Sequence, residues 1–255
     1  PEDKIRVVLA RCIKKHQILG QRHHRVSQVV NNHPFSILAP QVQGIELPGQ
    51  GITGIFGPSG AGKTSLVEAL LAAAGRISAA GDVVRGNTVC DFDPLEIEKG
   101  HSLDAALVSF DWQGCHVNLI DTPGAPDFLG KAVAVLPAVE TAAVVISARN
   151  GIESVSTRVM RRAEERGLCR VVVVNGIDAE DVDLPELLAE IQDTFGKECL
   201  PLNLPADNAS RVVDCFFNPS GDSDFSSVAD THQALIDQVE ELSQYRSEFF
   251  GKLRE

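Results

Sequence analysis

Gly57-Pro58-Ser59-Gly60-Ala61-Gly62-Lys63-Thr64 satisfies the pattern GxxxxGK[ST] in full, entered from the apolar stretch Ile52 to Phe56 and leaving into a helix-forming stretch, Ser65 to Ala74. This feature constrains the chain most. A glycine-rich turn between strand and helix makes backbone N–H groups converge on phosphate oxygens, and the helix adds its positive N-terminal end. Gly57, Ser59, Gly60, Ala61, Gly62 and Ser65 then form the cradle, Lys63 reaches the β and γ phosphates, and Thr64 places its hydroxyl on Mg²⁺. A nucleoside polyphosphate is implied, without selection of the base.

The remaining composition bounds the setting. With 255 residues and 44% hydrophobic content the chain can bury one sizeable core, and no apolar run reaches the roughly 20 residues needed to cross a bilayer. No secretory leader is evident at the first residues, so a soluble cytoplasmic protein without membrane contact is expected. Cys12, Cys90, Cys115, Cys169, Cys199 and Cys215 stand singly, without metal-ligand spacing, which suits reduced thiols. The formal charge of -12 hides an asymmetry: residues 1 to 25 hold seven Lys or Arg against Glu2 and Asp3, a net +5 that leaves -17 on the rest. The basic segment suits contact with RNA phosphates or a solvated helix face, whereas the acidic body argues against broad nucleic-acid binding.

Along the chain, Ile5, Val8, Leu9, Cys12 and Ile13 fall on one helical face, and residues 1–35 read as a basic helical appendage. From residue 36 to 180 strands alternate with helices: strand at Ile52 to Phe56, helix from Lys63, and a polar loop from Ile77 to Ser102. Runs Ala105 to Asp111 and Cys115 to Asp121 then flank a tight Trp112-Gln113-Gly114 turn. Helix-like Phe128 to Val139, strand-like Ala142 to Ser147, helix-like Val155 to Arg166 and strand-like Val171 to Val174 follow. This order predicts an α/β P-loop NTPase fold of GTPase type, a mostly parallel sheet with one antiparallel edge strand and helices on both faces. Residues 181–255 add a helix at Leu184 to Phe195, a Pro/Asn-rich stretch, and a final amphipathic helix with Leu235, Val239, Leu242, Phe249 and Leu253 at helical spacing.

Two further motifs select the chemistry. Asp121-Thr122-Pro123-Gly124 ends the second hairpin run, 58 residues after Lys63, where an acid holds the Mg²⁺ shell and a glycine N–H contacts the γ-phosphate. Asn175-Gly176-Ile177-Asp178 follows the strand Val171 to Val174 and is similar to the guanine-reading NKxD. Its Asp accepts two hydrogen bonds from guanine that adenine cannot offer in that arrangement, each contributing about 1.5–3 kcal/mol. The Lys of NKxD is Gly176 here, which removes the stem that covers the base.

With Glu96-Ile97-Glu98-Lys99-Gly100-His101-Ser102 preceding the hairpin, the order GPSGAGKT, EKGHS, FDWQGCHVNLID, DTPGAPDF and NGID resembles the GTP-binding domain of translation elongation factor G, and within it the divergent elongation-factor-G-like proteins of bacteria. The resemblance covers about residues 55 to 239. It implies GTP and GDP as ligands, Mg²⁺ held through Thr64, Ser102 and Asp121, and catalytic roles for Lys63, Ser102 and Gly124, with Ser102 standing where the family's RGIT segment has Thr. It implies a ribosome or RNA partner, through the family's later domains or the basic N-terminal segment. Leu200 to Phe217 resembles the start of that family's inserted subdomain.

Departures from the family set expectations of their own. The His that ends DxPGH and positions the attacking water is Ala125 here, and loss of such a group costs ~10²–10⁴ in rate. The guanine contact after the inserted subdomain and the later, ribosome-engaging domains are not evident before Glu255, so translocation by this chain alone is not expected. Residues 36–66 also resemble the entry of an ABC-type ATPase, although neither LSGGQ nor an apolar strand ending in Asp-Glu is present. The sequence therefore predicts a nucleotide switch or weak, slow GTPase, with a binding module lacking hydrolysis and an ABC-type ATPase as alternatives.

Overall fold

Apolar, β-branched strands that cannot satisfy their backbone groups alone pair in parallel to build the centre of the molecule. A computed structural model describes residues 7–12, 50–112 and 114–252, with side chains from 51 to 241 apart from 113. Its seven-stranded sheet has the order β3-β4-β2-β5-β6-β1-β7, from β1 (Val7–Cys12), β2 (Gln50–Phe56), β3 (Ala106–Trp112), β4 (Cys115–Asp121), β5 (Thr141–Ser147), β6 (Cys169–Asn175) and β7 (Cys199–Pro201). The pairs β2·β4, β2·β5 and β5·β6 are parallel, and β3 folds back on β4 as the expected antiparallel edge.

The two faces separate by the period of two that strands impose. Val144, Ile146, Val172 and Val174 pack with α3 (Leu129–Val135), α4 (Ser154–Glu165) and α5 (Leu184–Phe195). Their neighbours Ala143, Val145, Val171 and Val173 face the opposite way, onto α1 (Lys63–Ala73) and the start of α6 (Val228–Lys252). Leu235 of α6 is buried, as expected of a packing stripe, while Val239 is partly exposed. The side chains of Leu242 and Phe249, and all of Leu253, lie outside the described residues. Beyond α5, strands β8 (Asn203–Ala206) and β9 (Arg211–Asp214) form a separate antiparallel pair.

Four local expectations are corrected. The helix read over residues 5 to 13 is strand at Val7–Cys12, running antiparallel between β6 and β7. Its apolar residues fit both periods, and long-range pairing decides for the strand. The polar loop from Ile77 to Ser102 contains α2 (Pro94–Lys99). Pro94 at its first position, Asp93 accepting from Leu95 N at 2.8 Å and Glu96 returning to Asp93 N at 3.3 Å form a capping box that starts the helix. Phe128 to Val139 is not one helix: α3 lies between 3₁₀ turns at Pro126–Phe128 and Leu136–Ala138, each carrying a proline. Cys90, Cys115, Cys169 and Cys215 are free thiols, but Cys199 is disulfide-bonded, and Cys12 stands opposite it in the β1·β7 register. Residues 1–6 and 13–49, which include the rest of the expected appendage and the part of the ATPase-like entry before β2, lie outside the described residues.

Glu68 of α1 anchors the long segment between α1 and β3. Fully buried, it accepts from Gly81 N at 2.8 Å and from Val89 N at 2.5 Å. Replacing it by Ala strips two backbone donors of a charged acceptor, where each such bond contributes about 1.5–3 kcal/mol. Urea denaturation of Glu68→Ala is expected to show a loss of about 3–6 kcal/mol, with amide-exchange protection lost at Gly81 and Val89 and kept in β5 and β6.

Candidate functional site

The site forms where parallel strands end together. In the β2·β4 register Ile55 lies beside Asp121, so the phosphate loop leaving β2 and the Asp121-Thr122-Pro123-Gly124 segment leaving β4 emerge side by side. Thr122 ties them, its Oγ1 donating to Ile55 O at 2.7 Å and its N to the same oxygen at 3.2 Å. Gly57 lies against β5, since a Cβ there would stand 2.3 Å from Val145 O. The Gly62 backbone has φ +90°, and a Cβ on it would meet Asn175 Nδ2 at 2.1 Å. Only glycine meets both demands.

Lys63 and Thr64 open α1 and are buried. The Lys63 ammonium donates to Pro58 O at 2.9 Å, within the loop. Burial lowers its pKa, opposed by the charges of Asp121, Asp91 and Glu153. Thr64 Oγ1 donates to Asp121 Oδ2 at 2.6 Å. Asp121 is 1% exposed, and desolvation raises its pKa from 3.8 to about 6 against the Thr64 hydrogen bond and Lys63. Its second oxygen, Oδ1, is buried without a hydrogen-bond partner. One hydroxyl and one carboxylate with an open buried oxygen fit a hard cation that keeps water and takes phosphate oxygens. Accordingly, no group of three His, Cys, Asp or Glu side chains among the described residues forms an all-protein metal cage.

Gly124 sits directly on the phosphate loop: a Cβ there would be 2.3 Å from Lys63 Nζ and 2.7 Å from Ser59 N. Ser59 and Gly60 at the loop tip and Ser65 on α1 are exposed, while Ala61 is buried. Asn175 donates through Nδ2 to Ala61 O at 3.1 Å, which braces the loop from β6. Asp178 is exposed in the turn that follows, and Gly176 adopts φ +74° with open space around it.

Ser102 is held elsewhere than on the Thr64–Asp121 pair. Its hydroxyl donates to Asp91 Oδ1 at 2.7 Å, while Asp91 Oδ2 accepts from Thr88 Oγ1 at 3.0 Å. Asp91 is buried, and its charge acts on both Lys63 and Asp121. Asp91 and Glu68 were missed in the sequence: Asp91 is an isolated acid in a polar stretch, and Glu68 stands alone among the apolar residues of α1 with no motif around it. Glu96, noted there only as part of a motif, is buried on α2. His116 pairs with Asp111 at 2.7 Å on the exposed hairpin, at the end of β4 opposite Asp121.

Comparison with known proteins agrees with this arrangement. The family model described as elongation factor Tu GTP binding domain matches residues 51–247. An elongation factor G-like protein of Mycobacterium tuberculosis is 42% identical over 152 residues, covering 60% of this chain and 21% of its own length. Elongation factor G 2 of Borreliella burgdorferi is 31% identical over 205 residues, covering 78% and 29%. A crystal structure of a Thermus thermophilus protein superposes with a TM-score of 0.62 at 27% identity, over 78% of this chain and 30% of that one. The chain thus spans between a fifth and a third of these relatives. No helix among the described residues is long and apolar enough to cross a membrane.

Asp121 yields a stability test. Because its folded pKa lies above 3.8, the buried carboxyl is easier to keep neutral than to ionise, and metal-free protein loses stability as pH rises from about 4 to about 6. Above that window the ionised group costs on the order of 3 kcal/mol. In EDTA, Asp121→Asn is expected to melt higher than wild type at pH 7 and to lack the loss between pH 4 and 6. Parallel melting profiles of the two proteins would contradict the assignment.

Proposed function

The chain belongs to the elongation factor Tu GTP binding domain family, and on that premise we propose that it is a Mg²⁺-dependent, cytoplasmic GTP/GDP-binding domain acting as a nucleotide switch with slow hydrolysis of GTP to GDP and phosphate. The observation that carries this reading is the pairing of Thr64 with the buried, half-satisfied Asp121 beside Lys63, with Gly124 on the same loop. Phosphate oxygens replace Pro58 O as the partner of the Lys63 ammonium, and loop N–H groups from Ser59 to Thr64 take the rest. Thr64 and Asp121 would hold Mg²⁺, which when bound neutralises charge between the β and γ phosphates, while Ser102 stays on Asp91.

Gly124 N–H reports the γ-phosphate, because loss of that group changes what the glycine backbone rests against. Asp178 selects guanine, and Asn175 fixes the loop to β6 while opening the base-reading turn. Ala125 has no hydrogen-bonding side chain, so hydrolysis is slower than with a histidine at that position. The relatives' names connect them with elongation and ribosome release. By that likeness the switch serves a ribosome-engaging protein, and Val7–Cys12, expected in a separate appendage, is instead part of the sheet that carries the site.

Titration with fluorescent GDP and ADP analogues in Mg²⁺ is expected to show guanine preferred by at least about tenfold, and Asp178→Asn to weaken the guanine nucleotide selectively. Lys63→Ala is expected to abolish triphosphate binding. Equal affinities for the two bases would return the chain to the ATPase reading, and GTP binding unchanged in Lys63→Ala would reduce the loop to a structural turn.

A further inference from the structure

Ala125 leaves the proposed reaction without a side chain to orient the attacking water, yet an unused imidazole nitrogen lies on a segment docked beside it. His101 Nδ1 is buried and has no hydrogen-bond partner. Its ring lies 6.3 Å, centroid to centroid, from Phe128, the last residue of the 3₁₀ turn capped by Ala125. An unpaired buried nitrogen costs the fold stability, so one that is kept calls for an explanation.

The loop carrying His101 is fixed on both sides of it. Gly100, at φ +65°, ends α2 and donates to Glu96 O at 2.8 Å. Ser102 is held by Asp91, and the backbone N–H groups of Leu103 and Asp104 reach Glu96 Oε1 at 2.8 and 3.1 Å. Asp104 in turn pairs with Lys131 at 2.7 Å, and the Lys131 ammonium lies 5.5 Å from the Phe128 ring centre. The loop is therefore fastened to the segment after Ala125, and Asp91, which holds the next residue, acts electrostatically on Lys63 and Asp121 at the phosphate site. His116, the other nearby histidine in sequence, is occupied by Asp111 on the hairpin.

We propose that His101 orients the attacking water at the γ-phosphate in place of the side chain that Ala125 lacks. This assignment rests on the GTPase reading above. The water oxygen bonds to the γ-phosphorus, the bond from that phosphorus to the β–γ bridging oxygen breaks, and its electron pair leaves with GDP. The proton released from water ends on the inorganic phosphate. His101 hydrogen-bonds the water throughout and ends the cycle unchanged, as a positioning residue.

Single-turnover phosphate release from GTP and Mg²⁺ tests this in the full chain, with fluorescent GTP-analogue affinity measured alongside. His101→Phe keeps an aromatic ring against Phe128 and removes the nitrogen. It is expected to slow hydrolysis about tenfold or more while nucleotide affinity stays within about twofold. Ala125→His is expected to raise the rate by a larger factor in the His101→Phe background than in wild type, because the two imidazoles serve the same water, whereas a packing role for His101 gives the same factor in both. Hydrolysis by His101→Phe at the wild-type rate, or a gain from Ala125→His no larger in that background than in wild type, overturns the assignment and leaves the GTPase reading standing. Wild-type protein that binds GTP without turnover also overturns it, and wild type that fails to bind GTP overturns both.

Discussion

Burial of one carboxylate between two strand ends organises the molecule. Asp121 can be 1% exposed only because Thr64 donates to it at 2.6 Å and Lys63 lies close by. Those partners arrive only because α1 begins where β2 stops, one strand over in parallel register. Antiparallel pairing of β2 and β4 would send the loop and the acid to opposite ends of the sheet. The parallel order in turn requires helices on both faces, which is why Val171–Val174 is apolar on every residue.

A second layer of acids carries that geometry outward. Glu68 holds Gly81 and Val89, Asp91 holds Thr88 and Ser102, and Glu96 holds Leu103 and Asp104. Together they fasten a long segment with little regular structure to α1 and to the edge hairpin. Each works mainly by accepting from backbone N–H or hydroxyl groups, so the segment keeps its polar groups satisfied without a sheet of its own. Such bonds are strong when the acceptor is charged, which holds the segment in one arrangement beside the site.

The parts of this arrangement written in local sequence were legible. Short, continuous apolar and β-branched runs marked β5 and β6, the Trp112-Gln113-Gly114 turn marked the β3·β4 edge, and the spacing of Lys63 to Asp121 pointed to the site. The capping box at Asp93, Pro94 and Glu96 was also written there, but a helix of six residues gives no periodicity to find. What stayed hidden has two causes. Val7–Cys12 becomes a strand through hydrogen bonds to residues more than 150 positions away, whereas Asp91 has partners only three and eleven residues off, in a segment whose irregular backbone follows no motif. The base-reading turn is intermediate: its motif was visible, whereas the use of Asn175 as a brace on Ala61 required the register of β6 against the loop.

Charge explains why the proposed ligand needs a cation as its companion. Lys63 sits within electrostatic reach of Asp121, Asp91 and Glu153. With all of these ionised, three carboxylates against one ammonium leave the phosphate-binding corner negative by two, a field that repels a bare polyphosphate. A divalent cation on Thr64 and Asp121 offsets that excess and turns the open Asp121 Oδ1 from an unsatisfied acceptor into a partner. Desolvation, which raises the Asp121 pKa to about 6, also means that a bound cation would reverse the largest penalty in the site. On the proposed reading, nucleotide and metal therefore bind as one electrostatic unit, and the acidity that opposes a bare polyphosphate favours it together with the cation.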